Sequence, residues 1–338
     1  MTFKTLSLIY PVTSAFLPGD FSCREAGALP DTIRSHSTLL ESYPFLDELA
    51  EIELLLHVLG KKRPALPLVR DSWQIRPGVE LLEVSWSGLP ELLAGADTVP
   101  VRQNSFLLLI PGEGTTPSQV KNADSNSLLA LKVVVEELDL RKTARQGNSS
   151  VGHLQNVLYS AARNGILLQP QSKIVRPADF APHSRVDPKF LSAEVFTLQW
   201  HITQSCDLHC RHCYDRSVKQ DVTLSRGKEI LDQLYDFCSH HNVSGQVSFS
   251  GGNPLLHADF YQLYQEAADR GFMTAVLGNP AGRAELEKLL EIQPPEFYQV
   301  SLEGLPAHND YIRGIGHFNR TIHFLALLKE LGIYSMVM

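Results

Sequence analysis

From residue 195 onward the chain repeats one unit: a run that reads as a strand, a loop rich in glycine, proline or polar residues, then an amphipathic helix. Strands are expected at Val195–Thr203, Gln246–Ser250, Phe272–Leu277 and Tyr298–Leu302, and Ile333 opens a fifth. Helices are expected at Ser225–His240, Asp259–Arg270, Ala284–Glu291 and Phe318–Leu331. Successive strands joined by helices must pair in parallel, because a parallel pair needs a crossover. The fold class is therefore α/β. Uninterrupted repetition favours a (β/α) barrel over a doubly wound sheet, and barrels carry functional loops at the carboxyl ends of their strands. Four unusual loops fall there: the segment after Thr203, then Gly251-Gly252-Asn253-Pro254, Gly278-Asn279-Pro280 and Glu303-Gly304. Met338 lies inside the fifth strand, so residues 194–338 are expected to form a partial, incomplete barrel with an open sheet edge.

The preceding residues are of a different texture. Phe45, Leu49, Ile52, Leu55 and Leu59 recur at helical spacing, with Gly60 as the stop and Lys61, Lys62 and Arg63 beyond it. Strands follow at Val79–Trp86 and Ser105–Ile110, helices at Leu128–Leu138 and Val151–Asn164, and a strand at Gly165–Leu168. Pro170, Pro177, Pro182 and Pro188 punctuate an extended connection, since proline removes backbone donors and disfavours helix before it. The expected division is an N-terminal mixed α+β region at 1–100, a second module at 101–175, a proline-rich linker at 176–193 and the barrel at 194–338.

Chemistry concentrates after the first barrel strand. Three of five cysteines, Cys206, Cys210 and Cys213, fall at C-x3-C-x2-C spacing within one loop. Three thiolates from one loop can hold a metal or cluster and leave a coordination position open. Zinc with His209 or His212 as fourth ligand is one occupant, although no second ligand pair is present. A dithiol at Cys210 and Cys213 is another, but leaves Cys206 without a purpose. A [4Fe-4S] cluster with one free iron is the third. Cys23 reads as an ordinary thiol and Cys238, on an apolar helical stripe, as core; Phe260, Tyr261 and Tyr264 read as core too.

The cysteine loop, its His212-Cys213-Tyr214 ending and the Gly-Gly-x-Pro loop one unit later resemble the radical S-adenosylmethionine (SAM) superfamily. That resemblance implies a partial (β/α)6 barrel, a [4Fe-4S] cluster on Cys206, Cys210 and Cys213, and SAM chelating the fourth iron. It also implies reductive cleavage of SAM to a 5′-deoxyadenosyl radical that abstracts hydrogen from substrate. Gly251, Gly252 and Pro254 keep the family's SAM-binding pattern and His212 occupies its aromatic position. Asn253 stands where the family usually has a glutamate for the SAM amino group, which implies a weaker acceptor. Ser301 and Arg313 would contact the SAM ribose and carboxylate, and Asn279 resembles a further turn residue of the site. The string His308 to Gly314 resembles the segment after the fourth strand in peptide-modifying and sulfatase-maturing members. The pattern at about 100–175, ending in Asn164-Gly-Ile-Leu-Leu168, resembles winged-helix peptide-recognition domains; a plain packing module fits that pattern as well.

The implied partners are a precursor peptide and a low-potential electron donor such as flavodoxin or ferredoxin. A net charge of -7 gives no footprint for nucleic acid or a membrane surface. No apolar run approaches the roughly 20 residues of a membrane helix, and clustered rather than paired cysteines point to a reduced, cytoplasmic setting. The rival class is a non-catalytic, metal-stabilised peptide-binding scaffold, or an inactive truncated product.

Overall fold

The structure is a computed structural model and describes residues 3–61, 64–177, 186–187, 190–215, 217 and 220–338. Two compact units emerge, one of residues 1–138 and 157–169, the other of 139–156 and 170–338.

The second unit is built on a five-stranded parallel sheet whose spatial order follows the sequence. Its strands are β1 (Val195–Thr203), β2 (Ser244–Gly251), β3 (Met273–Leu277), β4 (Tyr298–Val300) and β5 (Ser335–Val337). Sequential order with helical crossovers is the progression of a barrel rather than of a doubly wound sheet, as the repeat implied. The crossovers are α1 (Leu224–His241), α2 (Phe260–Asp269), α3 (Arg283–Ile292), and a pair, α4 (Pro306–Arg313) and α5 (His317–Glu330). Alternation turns Trp200 and Ile202 of β1, Val247 and Phe249 of β2, and Tyr298 and Val300 of β4 into the core. Phe249 meets Trp200, Phe260 and Tyr264 at ring separations of 5.9, 5.6 and 5.6 Å, and each such fully buried side chain stabilises the layer by about 1.5–3 kcal/mol. Cys238 lies buried on α1, and burial pushes its thiol up to about 11, as expected of a core cysteine. Phe260 and Tyr264 are likewise core, whereas Tyr261 is half-buried and donates to the Glu285 carbonyl.

Helix ends follow the capping chemistry. Thr223 Oγ1 accepts from Arg226 N ahead of α1, and Asn242 closes that helix in the left-handed region at φ 54°. Several helices were not expected, among them Leu29–Arg34, Ser37–Ser42 and Leu89–Leu93 in the first unit and two in the second. Both α4 and Leu140–Gln146 are short and largely polar, so neither carries an apolar stripe; the latter is announced only by its cap, with Asp139 Oδ1 accepting from Lys142 N at 2.7 Å.

The first unit joins an antiparallel sheet, Glu80–Ser87 with Val101–Ile110 and Gln119–Asn122, to helices Leu46–Lys61 and Ser125–Val135. The first two strands pair across residue 100, so that position separates two strands of one sheet. The helix runs through Gly60 to Lys61; Lys62 and Arg63 lie outside the described residues, as do Pro182 and Pro188. At the near and far ends of the proline-rich segment, Arg176 N donates to Leu191 O and Ala193 N to Ile174 O. Cys23 is buried, with its thiol on the Glu25 carbonyl.

Glu53 is a charged group placed in this core. It is buried, and its two oxygens accept from Val12 N and Thr13 N at 2.8 and 2.9 Å. Burial outweighs those bonds and raises its carboxyl above the ordinary range. A raised acid holds its proton more tightly when folded, so its contribution is full at acid pH and declines as pH climbs through the folded value. In denaturant titrations, Glu53→Ala is expected to cost about 1–3 kcal/mol by orphaning buried donors. Glu53→Gln should flatten the fall in stability between acid and neutral pH.

Candidate active site

The cysteine loop leaves β1 at Thr203, whose buried hydroxyl donates to Asp221 Oδ1 at 2.6 Å and accepts from Ser205 N at 3.0 Å. Asp221 therefore closes the base of the loop. Inside it, Cys213 N turns back onto Cys210 O at 3.2 Å, and Gln204 Nε2 reaches Asp215 Oδ2 at 3.0 Å. The next strand end presses directly on this loop. A Cβ on Gly251, which sits at φ 131°, would come 2.1 Å from Thr203 O, and one on Gly252 would come 2.3 Å from Ser205 O. Gly252 N and Asn253 N donate to those same carbonyls at 2.9 and 2.7 Å. The two glycines are thus required by the backbone of the cysteine loop itself, before any ligand is considered.

Asn253 and Asn279, both buried, close the loop from the ends of β2 and β3. Their Nδ2 groups donate to one oxygen of Asp207, at 3.1 and 2.6 Å, and Asn279 Nδ2 also lies 3.4 Å from Cys206 Sγ. The Asn279 carbonyl is in turn held by the buried Tyr298 hydroxyl at 2.8 Å. This accounts for the departure at 253. With Asp207 in the loop, a glutamate there would set two carboxylates at hydrogen-bonding distance, which cannot both stay ionised at low cost. An amide donates instead. Pro254 begins the single 3-10 turn that follows, Pro254–Leu256.

Arg313 ends α4, and its Nε and Nη2 donate to Glu303 Oε1 at 2.9 and 2.6 Å while Nη1 points at Cys210 Sγ from 3.7 Å. His212 Nε2 meets the same Glu303 oxygen at 3.2 Å. Burial pulls the Glu303 carboxyl up, but Arg313 and His212 outweigh it and hold it below the ordinary carboxylate range. Burial pushes the Cys210 thiol up, opposed by Arg313 and reinforced by the other two cysteines. The far side of the loop is tied to α4 as well, with Arg211 N on Ile312 O at 2.9 Å and the Arg211 guanidinium 4.1 Å above the Tyr311 ring.

These elements surround one cavity of about 750 Å³. All three loop cysteines line it, together with His212, Gly251, Gly252, Asn279, Ser301 and Arg313. Asn253 and Pro254 stand behind that wall. Among the described residues, no three His, Cys, Asp or Glu side chains close around one point as a single ion requires; a cubane asks less convergence, since each thiolate takes its own iron. The donor set of three thiols, with N–H groups directed at two of the sulfurs, fits such a cluster. Sequence reasoning overlooked Asp207 and Glu303, although both sit inside the motifs it singled out.

The contact of Asn253 and Asn279 with Asp207 predicts the outcome of adding and moving a charge. Asn253→Asp should loosen the loop by opposing Asp207, at about 1–3 kcal/mol, and lower the iron and sulfide retained after anaerobic reconstitution. Adding Asp207→Asn should restore much of that loading, which a merely damaged fold would not do.

Residues 200–338 match the family model described as the radical SAM superfamily. Curated relatives include an Fe-coproporphyrin III synthase of Methanosarcina barkeri, 32% identical over 40% of this chain and 34% of that protein. An S-adenosylmethionine-dependent nucleotide dehydratase of Selenomonas ruminantium is 31% identical over 30% of this chain and 35% of its own. A mycofactocin maturase of Mycolicibacterium smegmatis is 28% identical over 40% of this chain and 34% of its own. The matched part thus spans about a third of each relative. The α/β sheet and the three-cysteine loop at its mouth agree with this match: residues 200–338 are similar to the radical SAM superfamily, whose cofactors are a [4Fe-4S] cluster and S-adenosylmethionine.

Proposed function

We propose that the chain is a radical SAM enzyme that modifies a ribosomally made peptide. The observation that carries the radical assignment is the single cavity shared by three loop thiols and the ends of successive parallel strands. Cys206, Cys210 and Cys213 would hold three irons. When bound, the cluster and SAM supply one-electron cleavage of SAM and a radical that takes hydrogen from substrate.

The chain's own residues bind and orient. Gly251 and Gly252 give the ligand backbone without side chains, and Ser301 offers a hydroxyl on the same wall. Arg313, fixed by Glu303, holds one N–H toward the Cys210 sulfur, where a charge-assisted bond stabilises a thiolate. His212 braces Glu303 from the loop side. Asn253 acts as a positioning residue through Asp207, with Asn279 as its counterpart. A low-potential donor such as flavodoxin or ferredoxin would deliver the electron.

The peptide assignment is supported by the His308–Gly314 string, by similarity to a maturase, and by the antiparallel sheet and helices before the barrel, which would recruit the precursor. No helix among the described residues is long and apolar enough to cross a membrane.

After anaerobic reconstitution and reduction, the chain should form 5′-deoxyadenosine from SAM, and alanine at any of the three loop cysteines should abolish it. Stoichiometric zinc with no response to SAM would sink the proposal.

A further inference from the structure

The inner face of the parallel sheet is polar, where a closed barrel is filled with branched apolar side chains. Strand alternation that sends Trp200, Val247, Phe249, Tyr298 and Val300 into the core turns their neighbours to the other side. Those neighbours include Gln199 and His201 on β1, Ser250 on β2, Gln299 on β4 and Ser301 just beyond it, and all five line the cavity below the cysteine loop. Gln299 gives one amide hydrogen to the Met338 thioether at 3.4 Å, a weak acceptor easily exchanged.

We propose that this floor is the substrate-recognition surface, and that it takes an extended peptide segment whose backbone amides are read by Gln199 and Gln299. The proposal rests on the radical SAM reading of the cavity mouth and names the substrate class below it. A carboxamide presents a donor and an acceptor side by side, the complement of what a peptide group offers. Gln199 and Gln299 stand on strands three spacings apart. That is at most about 14 Å along the sheet, the length of about four residues of extended chain. His201 and Ser250 supply further hydrogen-bonding groups along that path.

Two other substrate classes fit the floor less well. A porphyrin presents a wide apolar face, and among these floor positions Leu277 is the apolar contribution. A nucleotide brings phosphates that need cations. Arg313 is the arginine of the lining, it is ion-paired with Glu303, and Asp215 and Asp221 line the same cavity.

The test uses the full chain, reconstituted with its cluster and saturated with SAM, beside its Gln199→Leu/Gln299→Leu variant. Each is mixed with capped hexapeptides of randomised sequence, and peptides retained through gel filtration are counted by mass spectrometry. The change in the reduced cluster's electron paramagnetic resonance on adding SAM is recorded for both proteins, so that loss of the mouth is told apart from loss of the floor. The expected result is peptide retention by the natural chain that falls about tenfold or more in the double variant, the scale of one or two lost hydrogen bonds. Gln199→Glu, which keeps the acceptors and loses the donor, should fall part of the way. Equal retention by natural chain and double variant overturns the floor assignment while leaving the peptide reading intact. No retention by a natural chain whose cluster responds to SAM overturns both, and so does uptake of iron coproporphyrin or a nucleoside triphosphate in place of peptide. A cluster without any response to SAM would instead fail the reading of the mouth.

Discussion

The contact on which the mouth depends is backbone on backbone: Gly251 and Gly252 against Thr203 and Ser205. Parallel pairing joins β1 and β2 as far as Thr203 opposite Gly251, with one register shift between His201 and Thr203, and the absence of two Cβ atoms lets the chains stay together for two residues more. Any larger residue would drive a methyl-sized group into a carbonyl oxygen and lift the cysteine loop away from the sheet. The position of the thiols, and of whatever they hold, is therefore set by packing before coordination begins.

Above that contact sits a second layer made of amides and carboxylates. Asp207 inside the loop is held by Asn253 and Asn279, and Glu303 holds Arg313 and His212 on the opposite flank. Each flank pairs a loop group with a strand-end or helix-end group. Asn253 looks like a weakened ligand when it is compared with the glutamate usual at that position. Beside Asp207 it is the matching donor.

Much of this was legible in the chain, and the limits have physical causes. β1 was expected at Val195–Thr203 and occupies those residues, because β-branched and aromatic side chains alternate there with polar ones. α1, α2, α3 and α5 lie within about two residues of expectation, each carrying an apolar stripe. α4 was missed because its eight residues leave Tyr311 exposed and bury Asn309, reversing the usual signal. The three cysteines, Gly251, Gly252, Ser301 and Arg313 could be named from spacing and resemblance. Their partners could not. Whether Arg313 meets Glu303 depends on how far a helix and a strand end stand apart, which no local pattern encodes. The polar floor was written in the sequence as alternation of Gln199 and His201 with Trp200 and Ile202, but alternation alone does not say which face is the lumen.

The central claim is that Cys206, Cys210 and Cys213 hold a cluster with one iron left open to SAM. Mössbauer spectroscopy of chain reconstituted with iron-57 tests it most directly. The account predicts a four-iron spectrum in which one site, and only that site, changes its parameters when SAM is added. A spectrum in which no site responds to SAM, or a preparation that carries no four-iron cluster with all three cysteines intact, would contradict it.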